Sequence, residues 1–312
     1  MSQIEAENLR ARNLSAKNMS VENVGAAAPL SPEAALLPTR SSKSAARSRL
    51  VEYALIALVL LYAAGLLIGP LVAIFWSALA EGASGFIREI TSIDAVASLK
   101  LTLILAVAAT VINTVFGMCV AWVLVRDDFR GKRIINGLVD MPFAVSPVIA
   151  GFMLILLFGR NGWLTPIIDA LGIKVVFALP GMLLATIFIS LPFVIREVTP
   201  VLSQVSLDQE SAAYTMGASR WQTFWRVTLP AIRWGLLYGV SLTFARAVGE
   251  IGAVLVVSGG VSRLTETSTL FIFRSLDDRN YVGANSMAVL LAAISFVVLM
   301  VIEFLKKRTE ES

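Results

Sequence analysis

Residues 205–230 read VSLDQESAAYTMGASRWQTFWRVTLP, a polar and charged interruption in a chain that is otherwise mostly apolar. Ser206, followed three residues later by Gln209, has the form of a capping box and predicts that a helix begins here. Gly217 predicts a break or bend, because glycine costs about 1 kcal/mol relative to alanine inside a helix and turns readily. Residues 220–229 predict a second short helix, which runs up to a proline suited to the first turn of the next helix. A solvated loop between two membrane helices is the alternative that the pattern alone leaves open.

The composition of the chain indicates a membrane protein. Of its 312 residues, 57% are hydrophobic and only 15% are charged, whereas a soluble domain has roughly 25% charged residues. The net charge of +4 is small, and we expect no nucleic acid as a partner. The single cysteine, Cys119, excludes an internal disulfide, and the absence of histidine removes the commonest metal ligand and general base. We therefore expect no metal site and no catalytic residues.

Six apolar runs divide residues 50–312, and each has close to the roughly 20 residues that a helix needs to cross a bilayer. They predict an all-α, polytopic membrane domain with six transmembrane helices. The predicted spans are residues 55–79, 101–125, 138–158, 181–201, 234–257 and 286–305. Pro70, Pro147 and Pro192 predict kinks or local unwinding in three of them.

Residues 1–49 differ in kind from the apolar part of the chain. Asparagine recurs every five residues from Asn8 to Asn23, a period that matches neither a helix nor a strand. We interpret residues 1–49 as a disordered cytoplasmic tail and linker.

The charges of the loops predict the orientation of the chain. Loops on one side of the predicted spans carry an excess of lysine and arginine, and the alternate loops are acidic or balanced. The basic residues on the first side are Arg40, Lys43, Arg47, Arg49, Arg126, Arg130, Lys132, Arg133, Arg220, Arg226, Arg233, Lys306, Lys307 and Arg308. By the positive-inside rule, both termini and residues 205–230 are expected in the cytoplasm.

Two charged residues lie well inside a predicted span, where charges are costly and tend to mark function. Arg246 and Glu250 are four residues apart and can pair on one helix face. Either they form a structural ion pair, or they line a pathway or gate. Ser146 and Pro147 are further candidates for the pathway, because a helix break there can present backbone N–H groups to an anion. The same sequence is equally compatible with a kink that serves only helix packing. Arg196, near the end of a span, is interpreted as an interface residue that reaches toward water.

The sequence has no nucleotide-binding motif of the form G-x-x-x-x-G-K-[ST], so ATP hydrolysis would have to come from another chain. Three classes of function then remain: a permease subunit driven by a separate ATPase, a secondary carrier and a membrane enzyme. The enzyme class lacks a convergent catalytic set. The carrier class lacks a second, inverted three-helix repeat and gives no account of residues 205–230.

The segment resembles the cytoplasmic signature loop of ABC-importer permeases, written E-A-A, three residues, Gly, nine residues, I-x-L-P. Here the spacing is kept, with the triplet at residues 211–213 and V-T-L-P at residues 227–230. Ser211 occupies the family's glutamate position, and the carboxylate lies one residue earlier, at Glu210, about 100° around a helix axis. The resemblance implies that the cytoplasmic coupling loop 203–230 contacts a separate ATPase. The implied coupling residues are Glu210, Ser211, Ala212, Ala213, Gly217, Arg220, Leu229 and Pro230.

A longer resemblance, over roughly residues 51–305, is to the sulfate/thiosulfate importer permeases, and among them to the W-type subunit. It rests on DMPFAVSPVIAG, LPFVIREVTPVL and GASRWQTFWRVTLPAIRWGLLYGVSLTFARAVGEIGAV, followed by VVSGG. It implies a type I ABC-importer permease fold whose signature core covers about residues 97–305. Molybdate permeases share the pattern A-R-A-x-G-E-x-G-A, so molybdate or tungstate is the alternative substrate, and sulfate is not distinguished from thiosulfate.

This resemblance also implies partners for the chain. They are a homologous second permease, two copies of a cytoplasmic ABC ATPase that binds ATP and Mg, and a periplasmic or tethered sulfate-binding protein. The chain would span a bacterial-type plasma (inner) membrane, hold no cofactor of its own and form half of the translocation pathway.

Overall fold

The computed structural model describes residues 42–310, and within them the secondary structure is α-helical with one short π-helix and no strand. The prediction of an all-α fold is therefore confirmed. The predicted tail and linker lie outside the described residues as far as residue 41, and residues 42–49 belong to the first helix. By their contacts, the described residues divide into two units at Leu66 and Leu67.

Thirteen α-helices are described in residues 42–310. They are α1 (Ser42–Ala78), α2 (Gly82–Ile90), α3 (Ile93–Arg126), α4 (Lys132–Ala144), α5 (Pro147–Phe158), α6 (Thr165–Leu171), α7 (Leu179–Gln204), α8 (Leu207–Thr215), α9 (Arg220–Thr223), α10 (Leu229–Val248), α11 (Gly252–Val257), α12 (Ser268–Asp277) and α13 (Tyr281–Glu310), and the π-helix is Phe224–Thr228.

The helices α3, α7 and α10 pack against one another and form the core of the second unit. Near the C-terminal ends of α3 and α7 and the start of α10, the buried cluster contains Met118 and Ala121 of α3, Val194 and Val198 of α7 and Ile232 of α10. These residues recur at intervals of three or four along each helix, so each helix turns one apolar stripe toward the other two. The candidate coupling segment joins the end of α7 to the start of α10.

The predicted number of membrane spans, six, is not confirmed. Four helical segments in the described part of the chain are long and apolar enough to cross a membrane: Val51–Ala78, Ile93–Arg126, Leu179–Gln204 and Tyr281–Val301. The pair α4 and α5 meets the same criterion only if both are counted as one broken span, bent by 111°. The count is therefore four, or five with the bent pair.

Two predicted spans are broken into separate helices. Residues 138–158 are divided at Val145 and Ser146, directly before Pro147, because proline cannot donate the backbone hydrogen bond that a continuing helix needs. The expected break at this proline is confirmed. Residues 234–257, predicted as one span, are divided between Val248 and Gly252, so the prediction of a continuous helix here is wrong. By contrast, α1 and α7 continue through their internal prolines.

Candidate functional site

The predicted coupling segment, residues 203–230, forms short helices that join α7 to α10. Ser206 begins α8 as predicted, and its Oγ accepts a hydrogen bond from the backbone N–H of Asp208 at 3.1 Å. The capping box, however, is formed by Ser219 and Gln222 at the start of α9. There the backbone N–H of each residue donates to the side chain of the other, at 2.8 and 3.3 Å. The predicted start of a helix at Ser206 is confirmed, whereas the prediction that Ser206 and Gln209 form a capping box is wrong.

Gly217 makes the turn between α8 and α9. Its φ is +88°, in the left-handed region that side chains other than glycine rarely adopt, and its N–H donates to the carbonyl of Tyr214 at 2.9 Å. No atom lies within 4 Å of the position that a Cβ would occupy here. The predicted bend at Gly217 is confirmed, and the turn requires glycine for its backbone conformation and not for space.

The second short helix differs from the prediction at its far end. It is α-helical only from Arg220 to Thr223, then widens into the π-helix and continues without interruption into α10. Pro230 lies in the first turn of α10 and cannot donate to the carbonyl of Arg226, four residues earlier. The π-helix ends at Thr228, two residues before this proline. The chain therefore continues from α9 into α10 through a widened turn.

Glu210 is buried and paired inside the protein. Its Oε1 accepts hydrogen bonds from Nη2 of Arg126 at 2.6 Å and from Oγ1 of Thr228 at 3.1 Å. Both terminal nitrogens of Arg126 also donate to the carbonyl of Val205 at 3.3 Å. The side chains of Arg126 and Glu210 are only 11% and 6% exposed. The carboxylate that we expected at the ATPase contact therefore faces the end of α3.

The other implied coupling residues divide between the inside and the surface. Ala213 is buried and Leu229 is half-buried. The exposed members are Ser211, Ala212, Gly217, Arg220 and Pro230. Large apolar side chains lie among them on the surface, and Met216 is 82% exposed. The segment thus presents a mixed polar and apolar surface on which the family's glutamate position carries a serine.

Arg246 and Glu250 form the predicted ion pair, with Nη1 of Arg246 2.7 Å from Oε2 of Glu250. They do not share one continuous helix, because α10 ends at Val248 and Glu250 lies in the break before α11. The other carboxylate oxygen of Glu250 accepts from the backbone N–H of Ala253 at 2.9 Å and so caps α11. The side chain of Glu250 is 2% exposed, whereas that of Arg246 is 31% exposed. The carboxylate thus has two partners, and the guanidinium keeps one open side.

Ser146 and Pro147 lie at the other helix break, next to the first. Ser146 is exposed and precedes α5, which begins with Pro147. A Cβ added to Gly252, the first residue of α11, would lie 2.7 Å from Cβ of Pro147. The two short helices α5 and α11 therefore begin side by side, which brings the candidate pathway residues of two distant stretches to one region.

An ion pair that the sequence did not predict joins α4 to α7. Nε of Arg196 on α7 donates to Oδ1 of Asp140 on α4 at 2.8 Å, and its Nη2 donates to the other carboxylate oxygen. Arg196 is therefore bound to a neighbouring helix, while its side chain remains 38% exposed. The one available signal was that both residues lie near ends of predicted spans that face the same predicted side, which does not identify a pair.

A further ionic cluster lies in the loop between α11 and α12 and at the start of α3. Glu266 is 2% exposed, and its Oε1 lies 2.7 Å from Nε of Arg274. Nε of Arg263 donates to Asp94 at 2.5 Å. Burial raises the pKa of Glu266 above its ordinary value, against the opposing attraction of Arg274. Among the described residues, no group of three or more His, Cys, Asp or Glu side chains is arranged to hold a metal ion.

Comparisons with known proteins agree with the fold and with the resemblance. The family described as "Binding-protein-dependent transport system inner membrane component" matches residues 113–311. The sulfate transport system permease protein CysW of Synechocystis sp. is 48% identical over 261 residues, which are 83% of this chain and 94% of the relative. The sulfate transport system permease protein CysT of Synechocystis sp. is 35% identical over 248 residues, 80% of this chain and 87% of the relative. The crystal structure of a bacterial ABC transporter involved in the import of the acidic polysaccharide alginate superposes with a TM-score of 0.71 at 17% identity, covering 86% of this chain and 99% of the other. The fold is therefore that of ABC-importer permeases.

Proposed function

This chain belongs to the family of binding-protein-dependent transport system inner membrane components, and from that premise we propose that it is a permease subunit of an ATP-driven sulfate importer. The choice of sulfate as the substrate rests on the 48% identity, over 83% of the chain, to a sulfate transport permease. The apolar helices agree with a multi-pass protein of the inner membrane. The loop charges favour both termini in the cytoplasm.

ATP hydrolysis takes place on a separate ATPase that docks on residues 203–230 and binds ATP and Mg. The sequence of this chain has no nucleotide-binding motif. The exposed side of the segment offers Ser211, Arg220 and the apolar Met216 and Trp221 to a partner. Such a mixture of apolar residues with arginine is typical of protein interfaces.

The remaining partners are a second, homologous permease and a binding protein that delivers the anion. The chain's similarity to both CysW and CysT supports two related permease subunits in one complex. The family description, which names a binding protein, supports the delivery step. Each permease then contributes half of the pathway.

Arg246 provides positive charge toward the pathway. Sulfate carries two negative charges, and moving it through a low-dielectric span without compensation would cost many kcal/mol. Because Glu250 also accepts from the N–H of Ala253, its charge does not depend on Arg246 alone. The open side of the guanidinium can therefore meet an anion, beside the break at Ser146 and Pro147.

Radioactive sulfate uptake tests this function. Cells without their own sulfate permeases are supplied with the partner subunits, with and without this chain, and uptake of sulfate, thiosulfate and molybdate is compared. Sulfate uptake that depends on this chain is expected. Chain-dependent uptake of molybdate with no uptake of sulfate would overturn the substrate, and uptake that needs no ATPase would overturn the ATP-driven mechanism.

A further inference from the structure

We infer that Arg126 and Glu210 are positioning residues for energy coupling: their buried ion pair ties the coupling segment to α3, so that displacement of the docking surface is passed to a transmembrane helix. This inference rests on the proposed function, because it concerns the same segment and the same ATPase. It assigns Glu210 a role inside the chain, distinct from a contact with the partner.

The first support is that the pair joins parts of the chain that are distant in sequence. Arg126 is the last residue of α3, and Glu210 lies 84 positions later in α8. Arg126 also holds the carbonyl of Val205 before α8, and Glu210 also holds the hydroxyl of Thr228 before α10. One cluster thus binds both the beginning and the end of the coupling segment to α3.

The second support is the burial of the cluster. The two side chains are almost fully buried, so little water competes for their hydrogen bonds. The guanidinium makes three hydrogen bonds here, and Oε1 of the carboxylate accepts two. Removing either charged partner would leave the other buried without compensation. A buried pair of this kind is therefore harder to separate than an exposed salt bridge, which contributes little to stability.

The third support is the geometry of α8. Successive helical residues are about 100° apart around the axis, and Glu210 faces inward while its neighbour Ser211 is exposed on the docking side. Load applied at the surface therefore reaches the ion pair within the same helical turn. Aromatic packing continues the connection, since the rings of Trp122 on α3 and Phe224 in the π-helix lie 5.8 Å apart, edge to face.

The test measures sulfate transported per ATP hydrolysed by the reconstituted full complex, together with the amount of ATPase that copurifies. We expect Glu210→Ala to lower this ratio at least fivefold while the ATPase still copurifies, because the docking surface remains but its tie to α3 is lost. Glu210→Gln can still accept hydrogen bonds from Thr228 and Arg126, but it leaves the guanidinium without a counter-charge, so its ratio should fall between those of the parent and Glu210→Ala. Thr228→Val removes one hydrogen bond without leaving a charge unpaired, and it should lower the ratio about twofold even if Glu210→Ala does not assemble.

Glu266→Ala is the matched control, because Glu266 is also buried and paired with an arginine but lies in a different loop, between α11 and α12. It should reduce the yield of the complex and leave the ratio unchanged. An unchanged ratio in Glu210→Ala, or in Thr228→Val where Glu210→Ala fails to assemble, overturns this inference alone, as does an equal fall in Glu266→Ala. A parent complex that imports no sulfate overturns the proposed function and this inference together.

Discussion

The pair Arg246 and Glu250 offers the sharpest test of the pathway, because its structural and transport roles predict different double mutants. Replacing Arg246 with alanine leaves the carboxylate of Glu250, 2% exposed, with the N–H of Ala253 as its remaining partner. Breaking a buried pair costs about 3–5 kcal/mol. Since the side chain of Arg246 is 31% exposed, solvent already screens the pair, and we expect a cost of about 2 kcal/mol.

The double change Arg246→Ala and Glu250→Ala removes both charges and also the cap on α11. A lost cap costs about 1 kcal/mol, so the double mutant should be more stable than Arg246→Ala alone by about 1 kcal/mol, roughly a fivefold change in an equilibrium constant. The yield of assembled complex, measured by size-exclusion chromatography, should follow this order. Asp140→Ala with Arg196→Ala is the matched control, because that pair joins α4 to α7 and is more exposed.

Uptake per assembled complex then separates the two roles. If Arg246 faces the pathway, the double mutant should assemble and still import sulfate at least tenfold more slowly than the parent, whereas Arg246→Lys should retain part of the uptake because it keeps the positive charge. The control pair should leave uptake per complex near the parent level. A double mutant whose uptake per complex returns to that level would refute the pathway role of Arg246.

Three further predictions concern other parts of the chain. Gly217→Ala should lower the free energy of unfolding by about 1–2 kcal/mol, because the φ of Gly217 is +88°, and should lower transport; Gly217→Val should lower transport further. A Cβ at this position meets no atom, so the effect would come from the backbone conformation alone. Wild-type uptake and wild-type ATPase association in both variants would contradict the requirement for glycine. Burial raises the pKa of Glu266, so the complex should lose stability as the pH rises from below the ordinary glutamate pKa, about 4.3, through the raised value. Melting curves of Glu266→Gln should show a weaker pH dependence than those of the parent. In a Cys119→Ser background expressed without the ATPase, a cysteine at the exposed Met216 should react with a membrane-impermeant thiol reagent only after the cells are opened. A cysteine at Ile87 should react in intact cells. Labelling of Met216→Cys from outside would reverse the assigned orientation.

The sequence predicted features that depend on neighbours along the chain. The four-residue spacing of Arg246 and Glu250 predicted an ion pair, and the glycine at 217 predicted a turn; the structure has both. It did not predict that α10 ends between the two charges. A hydropathy run measures how apolar a segment is and not whether its backbone is continuous, so residues 234–257 were predicted as one span.

Contacts between distant residues were beyond the reach of local patterns. Arg126 was read only as one of the basic residues that set the orientation, and Glu210 only as a displaced motif carboxylate. Their pairing depends on the packing of α3 beside the ends of α7 and α10. The same holds for the bond between Asp140 and Arg196, 56 residues apart. Periodicity identifies which face of a helix is buried, whereas the partner of a buried charge is set by tertiary structure.

The two helix breaks support the proposed position of the pathway. At about 1.5 Å per residue, α4 with 13 residues and α5 with 12 are each about 20 Å long or less, and neither alone crosses the roughly 30 Å of hydrocarbon. Backbone that leaves the helix at membrane depth is tolerated only where protein or water satisfies its polar groups, and never against lipid. Ser146 in one break and Gly249 in the other are exposed in the single subunit. We therefore propose that this surface faces the second permease or a water-filled passage. Arg246 lies in the last turn of α10, just before the second break.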